Sequence, residues 1–300
     1  KQIITRSEKI VSNLNHQQSV VVRDSVSKYI YSSIFDWLVY SVNKSLCTKE
    51  IQGHIRSFIG VLDIYGFEHF EKNSFEQFCI NYANEKLQQE FNQHVFKLEQ
   101  DEYIKEEIEW NFIEFSDNQP CITLIEAKLG ILSLLDEESR LPAGSDESWV
   151  GKLYQNFDKP NHAKFFKKPR FGKTSFIVSH YAMEVAYESE GFIEKNRDSV
   201  PDEHMEVLMS TTNEFFKSVL DFSHELAASV EKTPSKSRVI VRKPTLGGIF
   251  KSSLIDLMKT INSTNVHYIR CIKPNEQKKA WLFDGPMVLS QLRACGVLET

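Results

Sequence analysis

The chain has 300 residues, 41% of them hydrophobic and 26% charged, which is ordinary globular composition and enough for two packed units. A formal charge of −5 and a pI near 6.0 argue against a general nucleic-acid binder, and no apolar run approaches membrane-spanning length. Five widely spaced cysteines (Cys47, Cys79, Cys121, Cys271, Cys295) fit neither a zinc site nor a disulfide framework and read as free thiols in a reducing, cytosolic setting.

Residues 6–47 read as helices. Val26, Ile30, Ile34, Leu38 and Val42 recur every four residues and predict an apolar face. The run SFIGVLDI (57–64) predicts a buried strand. Ser74, with Gln77 three places on, has capping-box spacing and opens a long helix to about Gln100, roughly 40 Å at 1.5 Å per residue. Phe75, Phe78, Tyr82, Leu87, Phe91 and Val95 are predicted to line one face of it. After it, EQDEYIKEEIEW sets six acids against one lysine before Trp110, whose indole is expected to dock into a neighbouring element.

Residues 121–157 predict two helices around a turn at Pro142 and Gly144, the second starting at Ser145 or Asp146. FIVSHYAMEVAYES alternates like a hairpin, with His180 as a satisfied structural group, and helices resume from about Gly191 to Ala228. Residues 229–243, SVEKTPSKSRVIVRK, carry five bases against one acid and read as a mobile surface loop. TLGGIFKSSLIDLMKTINST predicts an amphipathic helix. VHYIRCIKPN predicts a short strand containing His267 and closed by Pro274, and MVLSQLRACGVLET a final helix. A first residue Lys1 and a terminal VLET inside that helix are expected of an excerpt from a longer polypeptide. NKS and NST match a glycosylation acceptor by chance.

Chemistry centres on Asp63, Gly66 and Glu68 in DIYGFE. An acid at the carboxyl end of a buried strand is where open α/β sheets collect ligands, and it can hold magnesium through water. Gly66 lets its N–H approach an anion, a charge-assisted bond of roughly 1.5–3 kcal/mol that can hold a loop shut. DxxG by itself is a weak signal.

Its surroundings are specific. DIYGFEHFEKNSFEQFCINYANEKLQQEFNQHVFKLEQDEY resembles the switch II segment and relay helix of myosin motor domains. GILSLLDEESRLPAGSDESW resembles the helix-loop-helix of the lower actin cleft. KPRFGKTSFIVSHYAMEVAYESEGFIEKNRD and NSTNVHYIRCIKPN are also myosin-like, and QLRACGVLET is similar to the start of the reactive-thiol helices. The wording is most similar to class V myosins of fungal type, and the resemblance covers essentially the whole chain.

The resemblance implies a mixed α/β, predominantly helical fold, part of a P-loop NTPase-type head with a few strands of the central transducer sheet. It implies upper-cleft helices at 1–56, transducer strand and switch II at 57–72, relay helix and loop at 73–112, a lower actin-binding region at 113–228 and loop 2 at 229–245. An amphipathic helix and strand at 246–280 and the reactive-thiol start at 281–300 complete it. The implied ligands are ATP and Mg2+. Asp63 would lie near the metal through water, the Gly66 amide would touch the γ-phosphate, and Glu68 would pair with a switch I arginine and position water. Phe67, Phe91 and Trp110 would couple mechanically.

F-actin is the implied partner, through Lys232, Lys236, Arg238, Arg242 and Lys243 of the basic loop and through Leu257, Met258, Lys259, Ile261 and Asn262 of the following helix. The loop's net charge of +4 should steer encounter and weaken with salt. Glu8, sixteen residues before Asp24 in RDSVSK, which resembles the DALAK marker, would supply a permanent negative charge to a cleft loop. Cys295 stands one place beyond the usual first reactive-cysteine position, here Ala294, and reads as a packed thiol. Calmodulin-like light chains, cargo adaptors and a coiled coil would belong to regions beyond this chain, in a cytoplasmic protein on the actin cytoskeleton. No GxxxxGK[ST] or switch I sequence occurs here; both precede this segment in the myosin order. The alternative from another class is a non-catalytic actin-binding module of a degenerate myosin, which an intact upstream phosphate loop would exclude.

Overall fold

The structure, a computed structural model, describes all residues except 1, 5–8, 12, 48–50, 52, 112–116, 171–173, 198–199, 201, 232–243 and 298–300. The chain divides into two compact units, residues 1–62 with 198–243, and residues 63–197 with 244–300. The expected lower region, 113–228, therefore spans the boundary at 197/198.

In the first unit a short antiparallel hairpin, β1 (Gln2–Ile4) and β2 (Lys9–Val11), precedes α1 (His16–Leu46), so the helix predicted from residue 6 begins ten residues later. Asn15 caps α1 by accepting from the Gln18 N–H at 2.8 Å, while Gln18 reaches back to the Asn15 N–H. The unit continues with α2 (Asp202–Met209) and α3 (Glu214–Glu231). α1 packs on α3 through Ser33, whose hydroxyl lies 3.2 Å from that of Ser223, and through ring contacts Trp37–Phe215 and Tyr40–Phe222. Of the predicted face, Val26 and Ile30 are half-buried, whereas Ile34, Leu38 and Val42 are exposed. A helix apolar on most sides has no unique stripe, and periodicity cannot select one.

The second unit holds the main core. α4 (Phe75–Asn92) runs into a π-helical turn, Gln93–Leu98, and then α5 (Glu99–Lys105), one continuous rod longer than predicted. The Gln77 side chain accepts from the Ser74 N–H at 3.0 Å, as the capping spacing predicts. Of the predicted face, Phe75, Phe78, Tyr82 and Phe91 are buried, and Leu87 and Val95 half-buried.

Three helices, not two, follow: α6 (Gln119–Glu126), α7 (Ile131–Ser139) and α8 (Asp146–Phe157). The unforeseen break lies at Ala127–Gly130, where a Cβ on Gly130 would meet three backbone atoms at 2.8 Å. Ser145 caps α8, accepting from the Ser148 N–H.

The predicted hairpin is present as β4 (Ser175–Ser179) and β5 (Glu184–Glu188), with β3 (Phe166–Lys167) added on the outer side of β4. Its register pairs Phe176 with Tyr187 and Val178 with Val185, and these four point inward, as period-two alternation requires. Phe78 sets its ring edge-on to Tyr187 at 5.3 Å, and Trp149, Phe176 and Phe192 of α9 (Phe192–Arg197) complete the cluster.

The last helices are α10 (Leu246–Asn262), capped by Thr245, and α11 (Gly285–Ala294), capped by Asp284. α11 ends in a Schellman turn: Gly296 takes φ +61, its N–H donates to Arg293 O, and Val297 N–H donates to Leu292 O. Val297 is thus outside the helix that the sequence extended through it.

Two predicted strands are absent. Residues 57–64 and 266–275 form no strand among the described residues, with Ile59, Val61 and Ile269 almost fully exposed. A strand exists only through ladder partners, and an apolar run specifies the need for them without supplying them.

Candidate functional site

The segment carrying Asp63, Gly66 and Glu68 has no regular structure, yet its second half is gripped. Three asparagine side chains, Asn73 just before α4 and Asn81 and Asn84 within it, hold its backbone. Asn73 accepts from Phe70 N–H at 2.8 Å and donates to Phe70 O at 2.9 Å. Asn81, fully buried, accepts from Glu68 N–H and donates to Glu68 O, both at 2.8 Å. Asn84 donates to Tyr65 O at 2.9 Å. Carboxamides suit this because each carries a donor and an acceptor side by side, matching a peptide unit. Phe67 anchors the loop between the edges of His180 and Tyr181, with ring centroids 5.4 and 5.6 Å away.

What the grip leaves free is what the sequence singled out. Asp63 and Gly66 are exposed, and Glu68 is half-buried with only its backbone engaged. A Cβ at Gly66 would meet nothing within 4 Å, so the side-chain side of this exposed residue is open. Two carboxylates and an exposed glycine within six residues fit an anion with a divalent cation from one side. Among the described residues a second metal-type grouping, Glu85, Cys121 and His180, lies fully buried with ligand atoms within 4.8 Å. Its members already hydrogen-bond one another, and burial and the Glu85 charge push the Cys121 thiol well above its usual value, so it stays protonated.

The rod leads away from this loop. Phe91, buried, meets Tyr268 edge-on at 5.0 Å and Phe96 at 6.1 Å, and the Arg270 guanidinium covers its ring at 4.9 Å. Phe91 stands just before the π turn and Phe96 within it, where i→i+5 bonding interrupts the α-helical ladder. Beyond it Trp110 docks on the neighbouring helix α5, donating to Gln100 Oε1 at 3.2 Å and meeting Tyr103 edge-on at 4.9 Å.

The surface assignments divide. Met258 is buried in the core, and Leu257 and Ile261 are half-buried and pack against it. An amphipathic helix turns one stripe inward, and the apolar members of the motif are that stripe. Lys259 and Asn262 are exposed, Lys259 pairing with Asp256 at 2.9 Å. Glu8, Lys232, Lys236, Arg238, Arg242 and Lys243 lie outside the described residues. His180 is buried and bonded through both ring nitrogens; His267 is exposed, not in a strand, and Cys295 is half-buried. Asn81 and Asn84 were missed, and Asn73, legible beside Ser74 as a candidate helix cap, holds Phe70 instead. Their signal was present in NSFEQFCINYAN, where asparagines interrupt an apolar face that ordinary helix formers would occupy.

The chain thus sets a helical rod that grips an acid–glycine loop beside a three-stranded meander. The family described as Myosin head (motor domain) matches residues 1–300, and the chain belongs to it. It is 70% identical to Myosin-2A of Naumovozyma castellii, 69% to Myosin-2 of Saccharomyces cerevisiae and 57% to Myosin-51 of Schizosaccharomyces pombe, in each case over its full length. The chain spans about a fifth of the length of these relatives, 20% in each case.

Proposed function

We propose that this chain is the switch II, relay and actin-cleft portion of a class V-like, ATP-hydrolysing, actin-based motor that carries cargo in the cytoplasm along the actin cytoskeleton. Asp63, Gly66 and Glu68 form one wall of its nucleotide site. ATP with Mg2+, when bound, supplies the γ-phosphoryl group and the cation. On this wall the Gly66 N–H donates to a phosphate oxygen, Asp63 holds a water of the cation, and the Glu68 carboxylate orients the attacking water. Catalysis then rests on position and charge, with no covalent nucleophile.

The observation that carries the reading is the clamp. The backbone of the loop is held by side chains of the rod, so a loop displacement at Gly66 is a displacement of α4. The π turn at Gln93–Leu98 supplies a place for the rod to bend, and Trp110 sits at its far end. The apolar segments 57–64 and 266–275 are proposed to enter the transducer sheet beside strands from the rest of the head, with a phosphate loop and switch I supplied upstream. The basic loop is proposed to meet acidic actin, with Glu8, Lys259 and Asn262 contributing; light chains and cargo adaptors belong beyond this chain.

Glu68→Ala in the intact protein tests this. Nucleotide binding should persist while single-turnover hydrolysis is nearly abolished; unchanged hydrolysis would remove Glu68 from the mechanism.

A further inference from the structure

Behind Asn81 lies a buried line of hydrogen bonds that runs from Glu85 through His180 and Tyr187. The Glu85 side chain is fully buried and accepts at Oε1 from Tyr181 N–H and from His180 Nδ1, both at 2.9 Å. Asn118 Nδ2 donates to its Oε2 at 2.5 Å. A carboxylate so surrounded is an acceptor alone, so His180 carries its proton on Nδ1. With His180 neutral, Nε2 accepts and the Tyr187 hydroxyl, 2.7 Å away, donates to it. Burial pushes the Tyr187 phenol up, as it does that of Tyr181, so the hydroxyl keeps its proton. The Tyr187 oxygen then accepts from Asn81 Nδ2 at 2.9 Å.

This last bond decides which way the Asn81 carboxamide points. With the Tyr187 proton committed to His180, the atom facing Tyr187 must be the NH2 group. A flipped amide would set two acceptor oxygens against each other in a dry site. The unflipped amide is the one that offers Oδ1 to Glu68 N–H and its second N–H to Glu68 O. Residues 81 and 85 are one helical turn apart, so a carboxylate on α4 fixes a carboxamide on the same face through two side chains of the hairpin region.

We propose that Glu85, His180 and Tyr187 are positioning residues that lock the Glu68 backbone by setting the orientation of Asn81. The inference deepens the proposed nucleotide role of the loop and rests on it for its functional meaning. None of the three touches the reacting groups.

The test is Tyr187→Phe in the intact protein, which removes one oxygen and no packing volume. Hydrogen exchange followed by mass spectrometry, without nucleotide, should show exchange in residues 65–70 rising about threefold to tenfold, the factor for one buried neutral hydrogen bond. Segments of α8 should be unchanged. Glu85→Gln, which conserves volume but reverses one end of the line, should give the same local rise and serves if the first variant does not fold. Exchange that is unaltered, or that rises equally in α8, overturns the proposal. Single-turnover hydrolysis should slow by a similar factor with nucleotide affinity unchanged. Because exchange is read without nucleotide, a wild-type protein that never hydrolyses ATP would refute the functional reading and leave the exchange result standing.

Discussion

Gly296→Ala separates two costs that usually arrive together. Gly296 sits at φ +61, where a side chain costs about 1 kcal/mol. Its added Cβ would also lie 2.2–2.4 Å from three side-chain atoms of Gln88. Gln88 is buried and donates to Asn92 Oδ1 at 3.0 Å and to Gly296 O at 3.1 Å, so expelling it forfeits two bonds of about 1 kcal/mol each. The expected loss is about 3 kcal/mol. In a Gln88→Ala background, where the space is already free, the same change should cost only the backbone share, about 1 kcal/mol. Urea unfolding of the four proteins of this cycle, with slopes unchanged, reads the difference directly. Equal costs in both backgrounds would mean that the rod and the end of α11 do not meet through Gln88.

Three further outcomes are expected. Met258→Ala should cost about 2–5 kcal/mol as a core truncation, whereas Lys259→Ala, on the exposed side with a surface ion pair, should stay within about 0.5 kcal/mol; equal effects would contradict the orientation of α10. Burial pushes the Glu138 carboxyl up, but hydrogen bonds from Lys152 and Ser148 outweigh it and hold it below its usual value. Its ionised form therefore contributes stability above the ordinary carboxylate value, lost as pH falls through the depressed folded one, so Lys152→Met should flatten the acid limb of a melting-temperature profile. Neutralising Lys232, Lys236, Arg238, Arg242 and Lys243 together should slow association with actin filaments and reduce its salt dependence in stopped-flow measurements, and an unaltered salt slope would exclude that loop as the contact.

Local features of this protein are written locally. The cap of α4, the alternation of β4 and β5, the cap of α8 by Ser145 and the amphipathic helix at 246–262 follow from spacing and residue type, because each depends on neighbours within a few residues. Asp63, Gly66 and Glu68 were legible for the same reason, as a short motif, and the family was legible from the long continuous match around them. Tertiary structure alone decided what touches what. It buried Met258 with Leu257 and Ile261 packed beside it, set Trp110 on α5, and left 57–64 and 266–275 without strand partners among the described residues. It also gathered Asn81, Tyr187, His180 and Glu85 from positions about a hundred residues apart into one polarised line. Periodicity and caps act over a few residues, whereas a ladder, a packed stripe or a buried hydrogen-bond chain needs groups that the chain brings together only once it has folded.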